Sequence, residues 1–194
     1  MGRLKFIWQY ITSPRTTGAI LPSSRYLARK MVREIDFSRA RCVVEYGPGT
    51  GVFTEEILAA RLEGTVVLLL ERNAEFCEVL REKFAGVRDL FVIEDSAENV
   101  GEHLRAHGFE RACFVISGLP FASLPAEVSE NILKNTRGLL GDGGAFITFQ
   151  YTLLKKKIFA EHFAEIGIKR EFRNVPPAYV LTCSPAGGDT VGVS

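Results

Sequence analysis

Val43-Val44-Glu45-Tyr46-Gly47-Pro48-Gly49-Thr50-Gly51-Val52-Phe53-Thr54 joins an apolar run to a helix-forming one through three glycines at alternate positions. A short β-branched run that ends in such a loop reads as a buried strand feeding a helix. Alternate glycines let the chain turn sharply and let a ligand lie against main-chain N–H groups, while the following helix points its positive end at an anionic group. A dinucleotide loop of the G-x-G-x-x-G type needs its third glycine at position 52, where this chain has Val. Pro48 also removes a backbone donor, which suits a ligand without a diphosphate.

Outward from the loop, strand-like runs at 42–46, 65–70, 89–93, 112–117 and 145–150 alternate with helical segments at 52–62, 73–85, 97–107 and 126–140. This alternation predicts an α/β fold with a parallel sheet covered on both faces and ligands at the carboxyl ends of its strands. After a helix expected at 155–166, the runs Ile168 to Asn174 and Ala178 to Cys183 flank Val175-Pro176-Pro177, and so short a connection favours an antiparallel pair. Residues 1–36 read as a helical extension or lid: Leu4, Ile7, Trp8 and Ile11 recur at helical spacing, Pro14 supplies a stop, and Ser23 or Ser24 caps a second helix to about Ile35. Residues 37–185 form the main domain, and 186–194 a frayed tail.

At 194 residues and 46% hydrophobic content the chain suffices for one α/β domain. The net charge of +1 does not demand nucleic acid, yet residues 1–33 carry seven Arg or Lys and no Asp or Glu. The four cysteines form no C-x-x-C pair and fit a reducing cytoplasm. There is no signal-peptide pattern and no run of about 18 apolar residues to span a bilayer. His103 and His107 are four apart on a helix, but no third ligand accompanies them, so no metal is expected.

Glu45-x-Gly47-x-Gly49-x-Gly51 after a strand resembles motif I of the class I S-adenosylmethionine-dependent methyltransferases. The resemblance implies a Rossmann-like seven-stranded sheet, mostly parallel, with an antiparallel C-terminal hairpin. It also implies S-adenosylmethionine as cofactor and S-adenosylhomocysteine as product, held by Gly47, Gly49 and Gly51. Glu71 ends the second strand about 20 residues past the loop, where an acidic residue accepts from the ribose hydroxyls. Asp95, with Ser96 beside it, ends the third strand and is assigned to the adenine; the same two residues equally suit an N-cap for the helix near Ala97. Glu45 is assigned to the methionine amino group, as acidic residues at that position are in the class.

Ser117-Gly118-Leu119-Pro120-Phe121 comes after the fourth strand, where this class keeps its substrate-facing motif. Adenine methyltransferases carry Asn-Leu-Pro-Tyr or Asn-Pro-Pro-Tyr there, and Gly118 stands in place of that Asn. Thr17-Gly18-Ala19-Ile20-Leu21-Pro22-Ser23-Ser24-Arg25, Ser117-Gly118-Leu119-Pro120 and Arg173-Asn174-Val175-Pro176-Pro177-Ala178 together resemble the bacterial phospholipid N-methyltransferases, over nearly the whole chain. The resemblance implies methylation of phosphatidylethanolamine-type head groups. Ser117, Gly118, Leu119 and Pro120 would be the catalytic segment, its carbonyls holding a deprotonated amine. Phe121, Tyr26, Arg25, Arg173 and Asn174 would meet the substrate.

The expected partner is an anionic membrane surface, met by the amphipathic segment 1–11 with Arg3 and Lys5 at headgroup level. Packing of that segment on the domain as an ordinary helix is the alternative. The expected location is the cytoplasm, with a peripheral place at the inner membrane surface open to the enzyme, and no obligate protein partner is implied. Two other acceptors stay open, rRNA adenine and a small molecule; nucleic acid is the weaker, since the chain ends soon after the final hairpin and lacks the Asn. A non-catalytic cofactor-binding protein of the same fold is a further alternative.

Overall fold

The computed structural model describes residues 24–154 and 156–185. Helix α1 (Arg25–Val32) leads into β1 (Cys42–Tyr46), α2 (Val52–Ala60), β2 (Val66–Glu71), α3 (Ala74–Lys83) and β3 (Leu90–Glu94). Next come a 3₁₀ turn (Ala97–Asn99), α4 (Val100–Ala106), β4 (Ala112–Ser117), α5 (Ala126–Leu139) and β5 (Leu140–Gln150). Helix α6 (Lys156–Ala160), β6 (Glu165–Glu171) and β7 (Ala178–Ser184) are the last of the described elements.

Seven strands form one sheet in the order β3-β2-β1-β4-β5-β7-β6, parallel from β3 to β5, with β7 antiparallel to both neighbours. The expected seven-stranded, mostly parallel sheet with an antiparallel end is the one observed. All five residues of β1 are buried because helices cover both faces. One face packs Leu27, Met31, Ile57 and Leu80 from α1, α2 and α3; the other packs Leu104, Leu133 and Phe159 from α4, α5 and α6. Among the described residues no helix is long and apolar enough to cross a membrane.

Three elements differ in their bounds from the sequence expectation. Helix α6 stops at Ala160, and β6 starts at Glu165 rather than 168 and ends at Glu171. Phe159 and Phe163 imitate a continuing helix by their spacing, but Phe163 reaches the core by stacking on Phe146, 5.6 Å between centroids, after the helix has ended. Strand β5 begins at Leu140, ahead of the expected 145, with a register shift between Ala112 and Phe114 of β4 absorbing the glycines at 141, 143 and 144. Ser24 is the cap of α1, its Oγ accepting from the Leu27 N–H. The helix expected at 1–11, the motif stretch Thr17 to Ser23, Lys155 and the tail 186–194 lie outside the described residues.

Gly51 shows why the loop is built as it is. It enters α2 in the left-handed conformation at φ 81°, and a Cβ there would stand 2.8 Å from the Phe84 ring and 3.1 Å from Leu80. Gly51→Ala therefore combines left-handed strain with overpacking and is expected to cost about 3 kcal/mol. Chemical denaturation measures it, and a loss below about 1 kcal/mol would show that α3 yields.

Candidate active site

The carboxyl ends of β1, β2, β3 and β4 converge on the glycine loop. Gly47 N–H donates to the Leu70 carbonyl at 2.9 Å and Gly51 N–H to Pro48 at 2.8 Å, so the loop is tied to β2 and closed on itself. Glu71, at the end of β2, accepts from Gly49 N–H at 3.1 Å through Oε2 and from Asn73 N–H at 2.9 Å through Oε1. Burial raises its pKa, and those backbone donors oppose the shift. A side chain on Gly49 would meet nothing within 4 Å, so the loop faces open space there. From α3, Lys83 Nζ donates to the Thr50 carbonyl at 2.8 Å and pairs with Glu55 at 2.7 Å, fixing the outer rim.

Glu45 is fully buried on β1. Its Oε2 accepts from the Thr54 hydroxyl at 2.7 Å, while Oε1 has no hydrogen-bond partner. Burial pushes the carboxyl up to about 8, with the Thr54 bond opposing and the nearby Glu71 charge adding to the rise. A buried carboxyl with one oxygen unpaired is costly, and a cationic ligand group would satisfy it. Thr54 was not among the site residues expected from sequence; a lone hydroxyl in the apolar first turn of α2 was the available signal.

Asp95 lies beside Glu71, its N–H donating to the Glu71 carbonyl at 3.1 Å. Its carboxylate accepts from Ser96 N–H at 2.6 Å and Asn99 Nδ2 at 3.0 Å, and stands 2.7 Å from His103 Nε2. The hydrogen bond with His103 does most to hold Asp95 below the usual carboxylate range. Ser96 caps the 3₁₀ turn, its Oγ accepting from Glu98 N–H. Capping thus falls to Ser96 and leaves Asp95 at the strand end. Among the described residues no three His, Cys, Asp or Glu side chains gather as a metal site.

Beyond β4, Gly118 N–H donates to the Tyr46 carbonyl at 2.9 Å, and a Cβ on Gly118 would stand 2.9 Å from the Gly47 carbonyl. The two loops are therefore in main-chain contact. Ser117 is fully buried, its Oγ accepting from Leu119 N–H at 3.2 Å, and the Leu119 side chain lies over Gly47. Pro120 accepts from Ser123 and Leu124 and closes the turn into α5. Phe121 departs from expectation: it is 1% exposed, edge-to-face with Phe146 at 5.9 Å and with Phe159 at 5.4 Å. Enclosed among those rings, it is a core residue and presents no ring surface to a substrate.

The other expected substrate residues divide. Tyr26 and Arg173 meet at the same end of the sheet, the guanidinium 4.6 Å over the ring, with Arg173 also paired to Glu171 at 3.1 Å. Arg25, at the head of α1, pairs with Glu55 at 3.5 Å and keeps 71% of its side chain exposed. Asn174 is instead 2% exposed and structural: Oδ1 accepts from Ser24 N–H at 3.1 Å and Nδ2 donates to the Pro176 carbonyl at 2.7 Å. Asn174→Ala strands both partners and is expected to cost about 2 kcal/mol in a denaturation experiment, with cofactor affinity unchanged. A changed cofactor affinity at wild-type stability would return it to the binding set.

The ornithine lipid N-methyltransferase of Singulisphaera acidiphila is 33% identical over 180 residues, 92% of this chain and 93% of its own. The ribosomal RNA small subunit methyltransferase A of Acidobacterium capsulatum is 37% identical over 98 residues, which is 50% of this chain and 33% of that protein. No family model matches. Among solved structures, an O-methyltransferase from Bacillus cereus in complex with SAH superposes with a TM-score of 0.65 at 12% identity, covering 95% of this chain and 91% of that one. The CurJ carbon methyltransferase gives 0.66 at 18% identity, over 95% of this chain and 58% of that one. Those structural likenesses carry the fold, and the sequence match extends it along nearly the full length of a single relative. The chain is an S-adenosylmethionine-dependent methyltransferase and belongs to the family of the ornithine lipid N-methyltransferase.

Proposed function

We propose that this enzyme transfers a methyl group from S-adenosylmethionine to the primary amine of a membrane-lipid head group, one that carries an anion a few bonds from the amine. The observation that carries the reading is the match over 92% of the chain to a lipid N-methyltransferase, against 50% for the rRNA enzyme. Ornithine lipid and phosphatidylethanolamine share that head-group chemistry.

The residues fit the cofactor. Glu45 Oε1 would meet the methionine ammonium, the open side of Gly49 would receive the ligand, Glu71 the ribose hydroxyls, and Asp95 the adenine amine. S-adenosylmethionine, when bound, supplies an electrophilic methyl on a sulfonium, so the protein need not supply a nucleophile. The chain itself contributes alignment of an uncharged amine and removal of water. Carbonyls of the Ser117 to Gly118 segment would hold the amine N–H groups, with Leu119 and Pro120 shaping the approach. Arg25, Tyr26 and Arg173 at the rim would receive the head-group anion. A small-molecule acceptor would use the same alignment and is an outcome of the test.

Purified enzyme with methyl-labelled S-adenosylmethionine is to be offered vesicles containing ornithine lipid, vesicles containing phosphatidylethanolamine, rRNA, and soluble amines in separate reactions. Label is expected in a lipid arm, and which arm names the head group. Label only in rRNA or only in a soluble amine sinks the proposal.

A further inference from the structure

The loop between β6 and β7, residues 172–177, inverts the usual polarity of a water-facing loop. Its amide residue Asn174 is 2% exposed, whereas Phe172 and Val175 are 68% and 83% exposed. The Asn174 bonds to Ser24 and Pro176 anchor the base of the loop, and Pro176 and Pro177 carry fixed φ, so the apolar tips are presented from a braced support. In water the favourable arrangement is the reverse, with the amide out and the aromatic in.

The topology places this loop beside the chemistry. Glu171 at the end of β6 pairs with Ala178, and Tyr179 of β7 pairs with Gln150 at the carboxyl end of β5. That is the sheet end that carries Gly47 and Gly118. Leu154, four residues past β5 at the same end, is 90% exposed.

Charge completes the pattern. Residues 169–177 hold Lys169, Arg170 and Arg173 with the carboxylate Glu171; Lys169 pairs with Glu34 at 2.8 Å and Arg173 with Glu171 at 3.1 Å, both cations staying more than half exposed, while Arg170 lies against aromatic rings. The Arg170 guanidinium lies 4.7 Å over the Phe172 ring and 5.2 Å over Tyr179, in the place of a cation at phosphate level above an aromatic that enters the acyl boundary. Apolar tips ringed by arginines suit a lipid interface, where the tips leave water and the cations meet anionic head groups.

We infer that the Phe172 to Val175 loop, together with Leu154, is a membrane-inserting surface that presses the cofactor end of the sheet onto an anionic lipid bilayer. The inference rests on the lipid reading above, because it brings a lipid-borne amine to the sheet end where the methyl would be transferred. It uses residues other than the 1–11 segment.

The test uses the full chain and the double variant Phe172→Ser/Val175→Ser, neither residue belonging to the binding machinery. Sedimentation is measured with phosphatidylcholine vesicles with and without phosphatidylglycerol. The wild type is expected to bind the phosphatidylglycerol vesicles, more weakly at high salt, and the double variant at least about tenfold less tightly. Its affinity for S-adenosylmethionine and its thermal midpoint should match wild type. In a Trp8→Phe background, Phe172→Trp should shift to the blue with vesicles and be quenched by brominated lipid. Unchanged vesicle binding by the double variant, absence of quenching, or loss of RNA binding in place of vesicle binding overturns the inference. Vesicle binding lost in the variant while no lipid amine is ever labelled supports the docking surface and sinks the substrate assignment.

Discussion

Gly118→Asn is expected to weaken S-adenosylmethionine binding at least about a hundredfold and to leave no measurable transfer to lipid or to adenine. The reason is contact between main chains. A Cβ at position 118 would stand 2.9 Å from the Gly47 carbonyl, 3.4 Å from the Phe53 ring and 3.6 Å from the Tyr46 carbonyl. Neither loop can give way cheaply: Gly118 N–H is bonded to Tyr46 at 2.9 Å, and Gly47 N–H to Leu70 at 2.9 Å. Relief has to come from moving the Gly47 carbonyl, which moves the glycine loop proposed to hold the cofactor. Gly118→Ala isolates the Cβ and is expected to lower stability by about 2 kcal/mol with a parallel loss of cofactor affinity. Calorimetric titration and thermal melting measure both variants. If Gly118→Asn keeps wild-type cofactor affinity and begins to label adenine, the glycine selects the acceptor and its packing is incidental.

That steric role was invisible in the sequence, which places Gly118 just after a strand but cannot show that its loop touches another across β1 and β4. In the sequence Gly118 is a departure from an Asn; its contact with Gly47 supplies a second reason for the same residue. The parallel half of the sheet was legible because burial on both faces leaves continuous apolar runs such as Val66 to Leu70, with no competing period. Glu71 was legible because the run stops at it. Strand β6 was legible as one arm of the hairpin but not in its bounds, since Glu165–Glu171 is an edge strand with mostly exposed, mixed residues, and the preceding Phe159 and Phe163 mimic a helical repeat. Phe121 and Asn174 were placed on the substrate by position in a motif, but their roles are set by partners distant in sequence: Phe146 and Phe159 for one, Ser24 for the other.

Glu45 is expected to set opposite pH responses in the ligand-free and cofactor-bound enzyme. In the folded chain burial raises its carboxyl from 4.5 to about 8. Between those values the folded state keeps a proton that the unfolded chain has released. Stability conferred by the neutral carboxyl is therefore full below about pH 4.5 and declines as pH rises toward 8, by up to about 1.4 kcal/mol per unit. Glu45→Gln keeps the shape, removes the proton, and should melt above wild type at pH 8 when ligand-free. A cation against the unpaired Oε1 inverts the balance, because it favours the carboxylate and expels the proton. Cofactor affinity should then rise about tenfold per unit from about pH 6 to about 7.5, where the methionine ammonium itself begins to titrate. Titration calorimetry in buffers of different ionisation enthalpy should register one proton released. Glu45→Gln should bind at least about a hundredfold more weakly at about pH 7.5 and lose the slope. A flat wild-type affinity across that range, or the same slope in Glu45→Gln, would remove Glu45 from contact with the ammonium and leave its carboxyl a matter of folding alone.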